Sequence, residues 1–243
     1  MTSSQECPAI QLTGSVKERS EMFEKMRERW TKAITPLVHR LEGVDPSTLT
    51  WTSLVLSLLA FYLLMEAGRD TEGAVYIIGG VVIVLIAGVL DGLDGALARH
   101  QGTDGPYGDF LDHTIDRIVD VGILVAIGMN ADFVDNHSSG YIAGLLTLFG
   151  SYMGTQAQSV GLGRIYGGFS RADRMVLTLV ALIVSAWQAH SGAELFITSS
   201  LADWVLLGNS ELNGMTFALA ISAWGGVYTF LVRFVKTRNG LIE

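Results

Sequence analysis

The chain has 243 residues, of which 49% are hydrophobic and only 16% are charged, and its mean hydropathy is +0.39. This composition argues against a soluble globular domain. The formal net charge of -8 gives nucleic-acid binding no support, and the single cysteine, Cys7, excludes a disulfide within the chain.

The first 42 residues are predicted to lie outside the membrane. Residues 1–14 are polar and lack periodicity, which is typical of a disordered tail. Over residues 15–42, apolar side chains recur at three- and four-residue spacing among cations, which predicts an amphipathic helix. We expect this helix to lie along the cytoplasmic membrane surface, where cations meet anionic lipid. Packing against a soluble partner is the alternative.

Residues 43–243 are predicted to form one transmembrane domain of six helices. A helix needs roughly 20 apolar residues to cross a hydrocarbon core of about 30 Å. The candidate stretches are residues 49–65, 74–90, 112–130, 138–163, 175–193 and 214–232. The third is the weakest, because acids occupy its first half. The sequence therefore predicts an all-α, multi-pass integral membrane protein.

The basic residues indicate the orientation of these helices. If the N-terminus is cytoplasmic, every one of the 16 Lys and Arg residues except Arg69 falls in a cytoplasmic segment. Cytoplasmic loops of membrane proteins carry such an excess of Lys and Arg. Both termini are therefore predicted to be cytoplasmic.

Aspartates are concentrated in the stretch DGLDGALARHQGTDGPYGDFLDHTID, residues 91–116. Asp91 and Asp94 are three residues apart, so they share a face of a helix that continues the second span. Asp112 and Asp116 are four apart and share a face of the third. The glycines and proline between them predict a turn that makes the two helices antiparallel. Four carboxylates are therefore expected to converge near the cytoplasmic interface.

This cluster favours bound divalent metal. Carboxylates close together cannot all be ionised without compensation. Oxygen-only ligands suit a hard ion, Mg²⁺, Mn²⁺ or Ca²⁺, rather than zinc. A pair of such ions stabilises the attacking and leaving oxygens of a phosphoryl displacement. The alternatives are a salt-bridged helix end and the ion pathway of a divalent-cation transporter.

The spacing D-x2-D-G-x2-A-R-x8-G-x3-D-x3-D resembles the signature of the CDP-alcohol phosphotransferase family of membrane enzymes. It is met at every fixed position by Asp91, Asp94, Gly95, Ala98, Arg99, Gly108, Asp112 and Asp116. A second family feature, Pro-Asn-x-Leu-Thr, reads PSTLT at residues 46–50, with Ser47 where asparagine is usual.

The resemblance implies transfer of a phospho-lipid group from a CDP-linked lipid to a small polar alcohol, with release of CMP. It also implies a homodimer and two ions of Mg²⁺ or Mn²⁺. The expected metal ligands are Asp91, Asp94, Asp112 and Asp116, and the expected nucleotide-binding residues are Gly95, Ala98, Arg99 and Gly108. Asp116 is also the expected general base.

Three arginines after the fourth span, Arg164, Arg171 and Arg174, are candidates for binding a phosphate on the acceptor. The guanidinium group suits phosphate recognition. The segment GLGRIYGGFSRADR is similar to that of family members whose acceptor is phosphorylated, such as inositol phosphate, and glycerol phosphate would satisfy the same cations. Alternatively, these arginines enforce topology and touch lipid headgroups, and the acceptor is unphosphorylated, as serine is.

Four further polar residues adjoin the aspartates without occupying a fixed position of the pattern: Asp109, Asp120, His100 and His113. On a helix, His113 points about 100° away from Asp112. We expect all four to face solvent or to support the ligands from behind, with no catalytic role.

Overall fold

The structure is a computed structural model that describes residues 34–163, 165, 167–195 and 200–242, without the side chains of residues 200–202. Its helices are α1 Pro46–Glu66, α2 Thr71–Gln101, α3 Pro106–Gly128, α4 Ser138–Ser159, α5 Arg171–Ser191, α6 Ser200–Val205 and α7 Gly214–Ile242. The described part of the chain is all-helical, which confirms the predicted class.

Four helices, α1, α2, α5 and α7, are long and apolar enough to cross a membrane. Helices α3 and α4 have similar lengths, 23 and 22 residues, but are less apolar. Each of the six predicted stretches coincides largely with one of these six long helices. Membrane crossing by α3 and α4 stays a prediction.

Little of the predicted N-terminal region falls within the described residues. The expected tail, residues 1–14, lies outside them, and so does most of the expected surface helix. Residues 34–40 are helical. Their apolar side chains join a small buried cluster made of Ile34, Val38, Leu49, Leu93 and Leu97. The segment before α1 is thereby packed against α1 and the later part of α2.

Helix α2 passes without interruption from its apolar half into the aspartate-rich stretch. Its N-cap is Asp70, whose side chain accepts a hydrogen bond from the Gly73 amide at 2.6 Å. Its C-cap is Gly102, where a φ of 67° favours glycine. Helix α3 begins soon afterwards at Pro106. Proline has no amide hydrogen to donate, but the first turn of a helix does not use one. The chain therefore reverses between the two pairs of aspartates, as the sequence predicts.

Helix α5 begins at Arg171, earlier than the predicted stretch at residue 175. The reason is a capping box, in which the Ser170 hydroxyl accepts from the Asp173 amide and the Asp173 carboxylate accepts from the Ser170 amide. Arg171 and Arg174 consequently lie in the first turn of a helix, on one face, rather than in a loop.

The helices pack around a core of aliphatic side chains. Helix α1 lies along α2 and α3, α4 lies along α3 and α7, and α5 lies along α2 and α7. At one crossing of α3 and α4, a Cβ added to Gly140 would lie 2.8 Å from the Cα of Gly128. Backbone contact of this kind needs glycine on both helices.

The end of the bundle opposite the aspartates is held by the fully buried Asn130. Its amide nitrogen donates to the carbonyls of Leu64 and Ala67, each at 2.8 Å. Its amide oxygen accepts from the backbone amides of Asp132 at 3.0 Å and Phe133 at 2.9 Å. One side chain therefore ties the end of α1 to the turn that follows α3.

Arg69 lies at this same end of the bundle. Its guanidinium pairs with the carboxylate of Glu211, and its Nε donates to the carbonyl of Asp132 at 2.6 Å. The guanidinium carbon also lies 4.6 Å from the centre of the Phe133 ring. Arg69, the one cation that the predicted topology places outside the cytoplasmic segments, thus joins the α1–α2 turn to the segment before α7.

We expect Asn130→Ala to lower the midpoint of thermal unfolding by at least about 2 °C. Each buried group left without a partner costs about 1–3 kcal/mol, and about 1 kcal/mol shifts a chain of this size by about 2–4 °C. The measurement is a thermal melt of the protein in detergent. Asn239→Ala, at an exposed site on α7, is the matched control. Equal midpoints for the two variants would contradict this role for Asn130.

Candidate active site

Carboxylates from the end of α2 and the start of α3 meet at one place. Oxygens of Asp91, Asp94 and Asp112 lie within 4.8 Å of one another, and Asp112, Asp116 and His113 form a second group of the same size. Because Asp112 belongs to both groups, the four predicted metal ligands form one continuous cluster.

Helix α1 also contributes to this cluster. The Thr50 hydroxyl donates to Oδ2 of Asp94 at 2.5 Å, and both side chains are buried. Thr50 is the last residue of the PSTLT stretch. Ser47, which stands where asparagine is usual, lies in the first turn of α1, where its amide donates to Asp45 at 3.0 Å.

Arg171, from the first turn of α5, lies inside the aspartate cluster. Its Nη2 is 2.7 Å from Oδ1 of Asp116, and its Nη1 is 3.6 Å from Oδ2 of Asp91. Its Nε donates to Oδ1 of Asp120 at 3.0 Å. The guanidinium is therefore anchored through Nε and directs its two other nitrogens at the predicted metal ligands.

Asp120 is a site residue whose importance the motif does not reveal. Its side chain is only 1% exposed, so the solvent-facing alternative is wrong for it. Besides Arg171, it accepts a hydrogen bond from Nη2 of Arg174 at 2.7 Å and lies 3.4 Å from Nη1 of Arg117. A buried carboxylate needs such partners, because removing one side of a buried ion pair costs about 3–5 kcal/mol.

A sequence signal for Asp120 does exist. It follows Asp116 by four residues, as Asp116 follows Asp112, so the three carboxylates lie along one face of α3. Asp109 is exposed, as expected. Arg117 is a local partner, three residues earlier on the same helix, but Arg171 and Arg174 come from a helix about fifty residues later in the chain, and no local pattern reveals them.

The charges in the described site do not balance. Five carboxylates, from Asp91, Asp94, Asp112, Asp116 and Asp120, face three guanidinium groups, from Arg117, Arg171 and Arg174. In addition, Oδ1 of Asp116 is buried and accepts no hydrogen bond from the described residues, although Arg171 is near. Excess negative charge and converging carboxylate oxygens fit a divalent cation.

The expected nucleotide-binding residues border the aspartate cluster. Arg99 is exposed, and its Nη1 lies 3.3 Å from where a Cβ at Gly95 would be, so this side chain folds back over the glycine. Ala98 is half-buried on the same helix. Gly108 lies on the exposed first turn of α3, and a Cβ there would meet no described atom within 4 Å.

The remaining candidates lie apart or at the edge of the site. Arg164 lies outside the described residues. His113 is 60% exposed, and its Nδ1 is 3.5 Å from Oδ2 of Asp112. His100 contacts Glu42 through Nε2 at 2.9 Å rather than an aspartate of the cluster. Arg174 is buried beneath Arg171, where it supports Asp120.

A solved enzyme structure has the same fold as this chain. The structure aligns with phosphatidylinositol phosphate synthase of Mycobacterium tuberculosis with CDP-DAG bound, at a TM-score of 0.62 and 21% identity, covering 85% of this chain and 94% of that one. The same enzyme in complex with manganese and citrate aligns at a TM-score of 0.61 and 21% identity, covering 84% and 88%. These likenesses show the fold.

Sequence comparison shows the family. Archaetidylinositol phosphate synthase of Pyrococcus horikoshii is 32% identical over 149 residues, which are 59% of this chain and 72% of the relative. Phosphatidylinositol phosphate synthase of Cutibacterium acnes is 27% identical over 227 residues, 90% of this chain and 98% of the relative. Residues 44–153 match the family profile described as CDP-alcohol phosphatidyltransferase.

Apolar helices that carry this aspartate signature define a transferase of phospholipid biosynthesis. The chain belongs to the CDP-alcohol phosphatidyltransferase family, and the resemblance inferred from the sequence is confirmed.

We expect Thr50→Val to raise the Mn²⁺ concentration needed for half-maximal CMP release by about 10-fold or more. The substitution keeps the shape of the side chain but removes the hydroxyl that orients Asp94, and the loss of such a supporting hydrogen bond typically costs 10- to 100-fold in metal affinity. Thr52→Val is the matched control, because the Thr52 hydroxyl donates within α1, to the carbonyl of Thr48 at 2.6 Å. If both variants need the same Mn²⁺ concentration, Thr50 does not orient a ligand.

Proposed function

We propose that this enzyme transfers a phospho-lipid group from a CDP-linked lipid to the hydroxyl of a phosphorylated alcohol and releases CMP. The observation that carries the proposal is the position of Arg171 inside the aspartate cluster. A cation from the segment expected to bind the acceptor lies next to the carboxylate expected to activate it. The two relatives, an archaetidylinositol phosphate synthase and a phosphatidylinositol phosphate synthase, support the same acceptor class.

The carboxylates of Asp91, Asp94, Asp112 and Asp116 are assigned to two divalent ions, Mg²⁺ or Mn²⁺. Bound metal supplies the charge that neutralises the transferred phosphate and the departing CMP. The separation of the oxygens, within 4.8 Å in each group, and the two-charge excess support this assignment. The fold neighbour in complex with manganese is consistent with it.

Asp116 is assigned the role of general base. Its carboxylate takes the proton of the acceptor hydroxyl as that oxygen forms a bond to the β-phosphorus of the donor. The bond from this phosphorus to the bridging oxygen breaks, and CMP leaves with that oxygen. The position of Asp116 supports the assignment, because its carboxylate lies between Asp112, an expected metal ligand, and Arg171, which is expected to bind the acceptor.

Arg171 is assigned to the phosphate of the acceptor. Guanidinium nitrogens form strong, directional hydrogen bonds with phosphate. With Nε held by Asp120, the two terminal nitrogens of Arg171 remain directed into the site. Arg174 is better suited to holding Asp120, because its side chain is only 7% exposed. Inositol phosphate is the preferred acceptor and glycerol phosphate the second candidate.

Nucleotide binding is assigned to Gly95, Ala98, Arg99 and Gly108. The small residues leave space beside the carboxylates, and the exposed Arg99 can reach phosphate or cytidine groups. A divalent-cation transporter is no longer supported, because the chain belongs to a family of enzymes.

The remaining assignments concern the membrane and assembly. We propose six spans over residues 43–243, a surface helix over residues 15–42, a disordered tail before it, both termini and the active site on the cytoplasmic side, and a homodimer. The orientation is supported by Arg69, which lies just before α2. The aspartates and the arginines paired with them lie near the opposite end of that helix.

We expect Asp116→Asn to reduce the turnover number for CMP release by at least about 100-fold, because the amide cannot accept the proton of the acceptor. Asp109→Asn, an exposed aspartate in the same stretch, is the matched control and is expected to keep its turnover. The measurement is CMP release from a CDP-linked lipid in detergent micelles with Mg²⁺. Near-normal turnover in Asp116→Asn would falsify the general-base assignment.

We expect Arg171→Ala to raise the KM for inositol phosphate by at least about 10-fold, because a hydrogen bond to a charged group contributes about 1.5–3 kcal/mol. The KM for the CDP-linked lipid should change far less. Arg238→Ala, an exposed cation near the end of α7, controls for loss of one positive charge. An unchanged KM for inositol phosphate in Arg171→Ala would remove Arg171 from the acceptor site.

A further inference from the structure

A second group of metal-ligating side chains lies outside the aspartate cluster, where the segment before α1 meets the end of α2. Nδ1 of His39 and Nε2 of His100 each lie 2.9 Å from the same oxygen, Oε1 of Glu42. The two imidazole rings stand nearly perpendicular, at 89°, with centres 4.9 Å apart. Two nitrogens and a carboxylate oxygen from separate parts of the chain thus converge within 4.8 Å.

The two chain segments that carry these ligands are fixed to each other by other contacts. The Gln101 side-chain amide donates to the carbonyl of Glu42 at 3.0 Å and to that of Val44 at 2.9 Å. Val38, next to His39, is buried in the apolar cluster that includes Leu97 of α2. These contacts fix the backbone that carries the three side chains, which reduces the entropy lost when they bind an ion.

The donor atoms differ in kind from those of the aspartate cluster. Two imidazoles and one carboxylate form a ligand set that zinc and related transition metals accept, whereas Mg²⁺ prefers oxygen alone. The cluster is half-exposed, with 38% of the His100 side chain accessible, so water can complete the coordination.

We propose that His39, Glu42 and His100 form a binding site for one divalent transition-metal ion, which joins the segment before α1 to the end of α2. The site is separate from the catalytic aspartates and does not depend on the proposed function. Its effect is mechanical, because it fixes the C-terminal turn of α2, directly after Arg99, to the segment that precedes the first apolar helix.

The test is a zinc titration of the whole protein in a large excess of Mg²⁺, which occupies the aspartate cluster. Isothermal calorimetry is expected to give one zinc site per chain in the native protein. In His39→Ala and in His100→Ala, the zinc dissociation constant should rise by at least about 10-fold, or about 1.4 kcal/mol. His190→Ala, which removes an exposed histidine on α5, is the matched control and should bind zinc as the native protein does.

A second measurement reports the joining of the two segments. Zinc should slow amide hydrogen exchange over residues 34–44 in the native protein but not in Glu42→Gln, which keeps both histidines. CMP release in Mg²⁺ checks that each variant is folded. Absence of zinc uptake by the native protein, equal affinity in the histidine variants, or unchanged exchange in the native protein would each overturn the proposal.

Discussion

The site depends on keeping five carboxylates together in a largely buried part of a helical protein. Carboxylates at these distances repel one another, and burial increases the repulsion because the surroundings screen charge poorly. Three arginines partly compensate this negative charge. Arg171 and Arg174 come from the first turn of α5, and Arg117 comes from α3 itself. Because two negative charges remain, the pocket is suited to a divalent cation even before a substrate enters.

Asp120 links this electrostatic arrangement to the fold. It holds Arg171 through Nε and Arg174 through Nη2, so α5 is bound to α3 by charged hydrogen bonds at one point. Helix α1 reaches the same cluster through the Thr50 hydroxyl. At the opposite end of the bundle, the joining interactions are instead the amide of Asn130 and the ion pair of Arg69. The helices are thus fixed at both ends, and the charge excess that binds metal is confined to one.

The sequence predicts the aspartate cluster because helical spacing alone puts Asp91 with Asp94 and Asp112 with Asp116, and a glycine-rich turn reverses the chain between them. It does not predict the burial of Asp120 or the donation from Thr50, because both depend on helices distant in sequence. The apolar residues alone predict a start of α5 at residue 175. The pair Ser170 and Asp173 has the spacing of a capping box and indicates the earlier start at Arg171. Helices α3 and α4 are predicted in position but are less apolar than the other four, since acids and small polar residues replace aliphatic ones.

The most direct measurement compares CMP release by the purified protein with inositol phosphate and with unphosphorylated inositol, at equal CDP-linked lipid and Mn²⁺. With Arg171 beside the aspartates, the enzyme should favour the phosphorylated alcohol, with a kcat/KM at least about 10-fold higher. The reason is that a hydrogen bond from Arg171 to a charged phosphate stabilises the transition state by about that factor. Equal kcat/KM for the two alcohols, or CMP release with serine alone, would contradict the account.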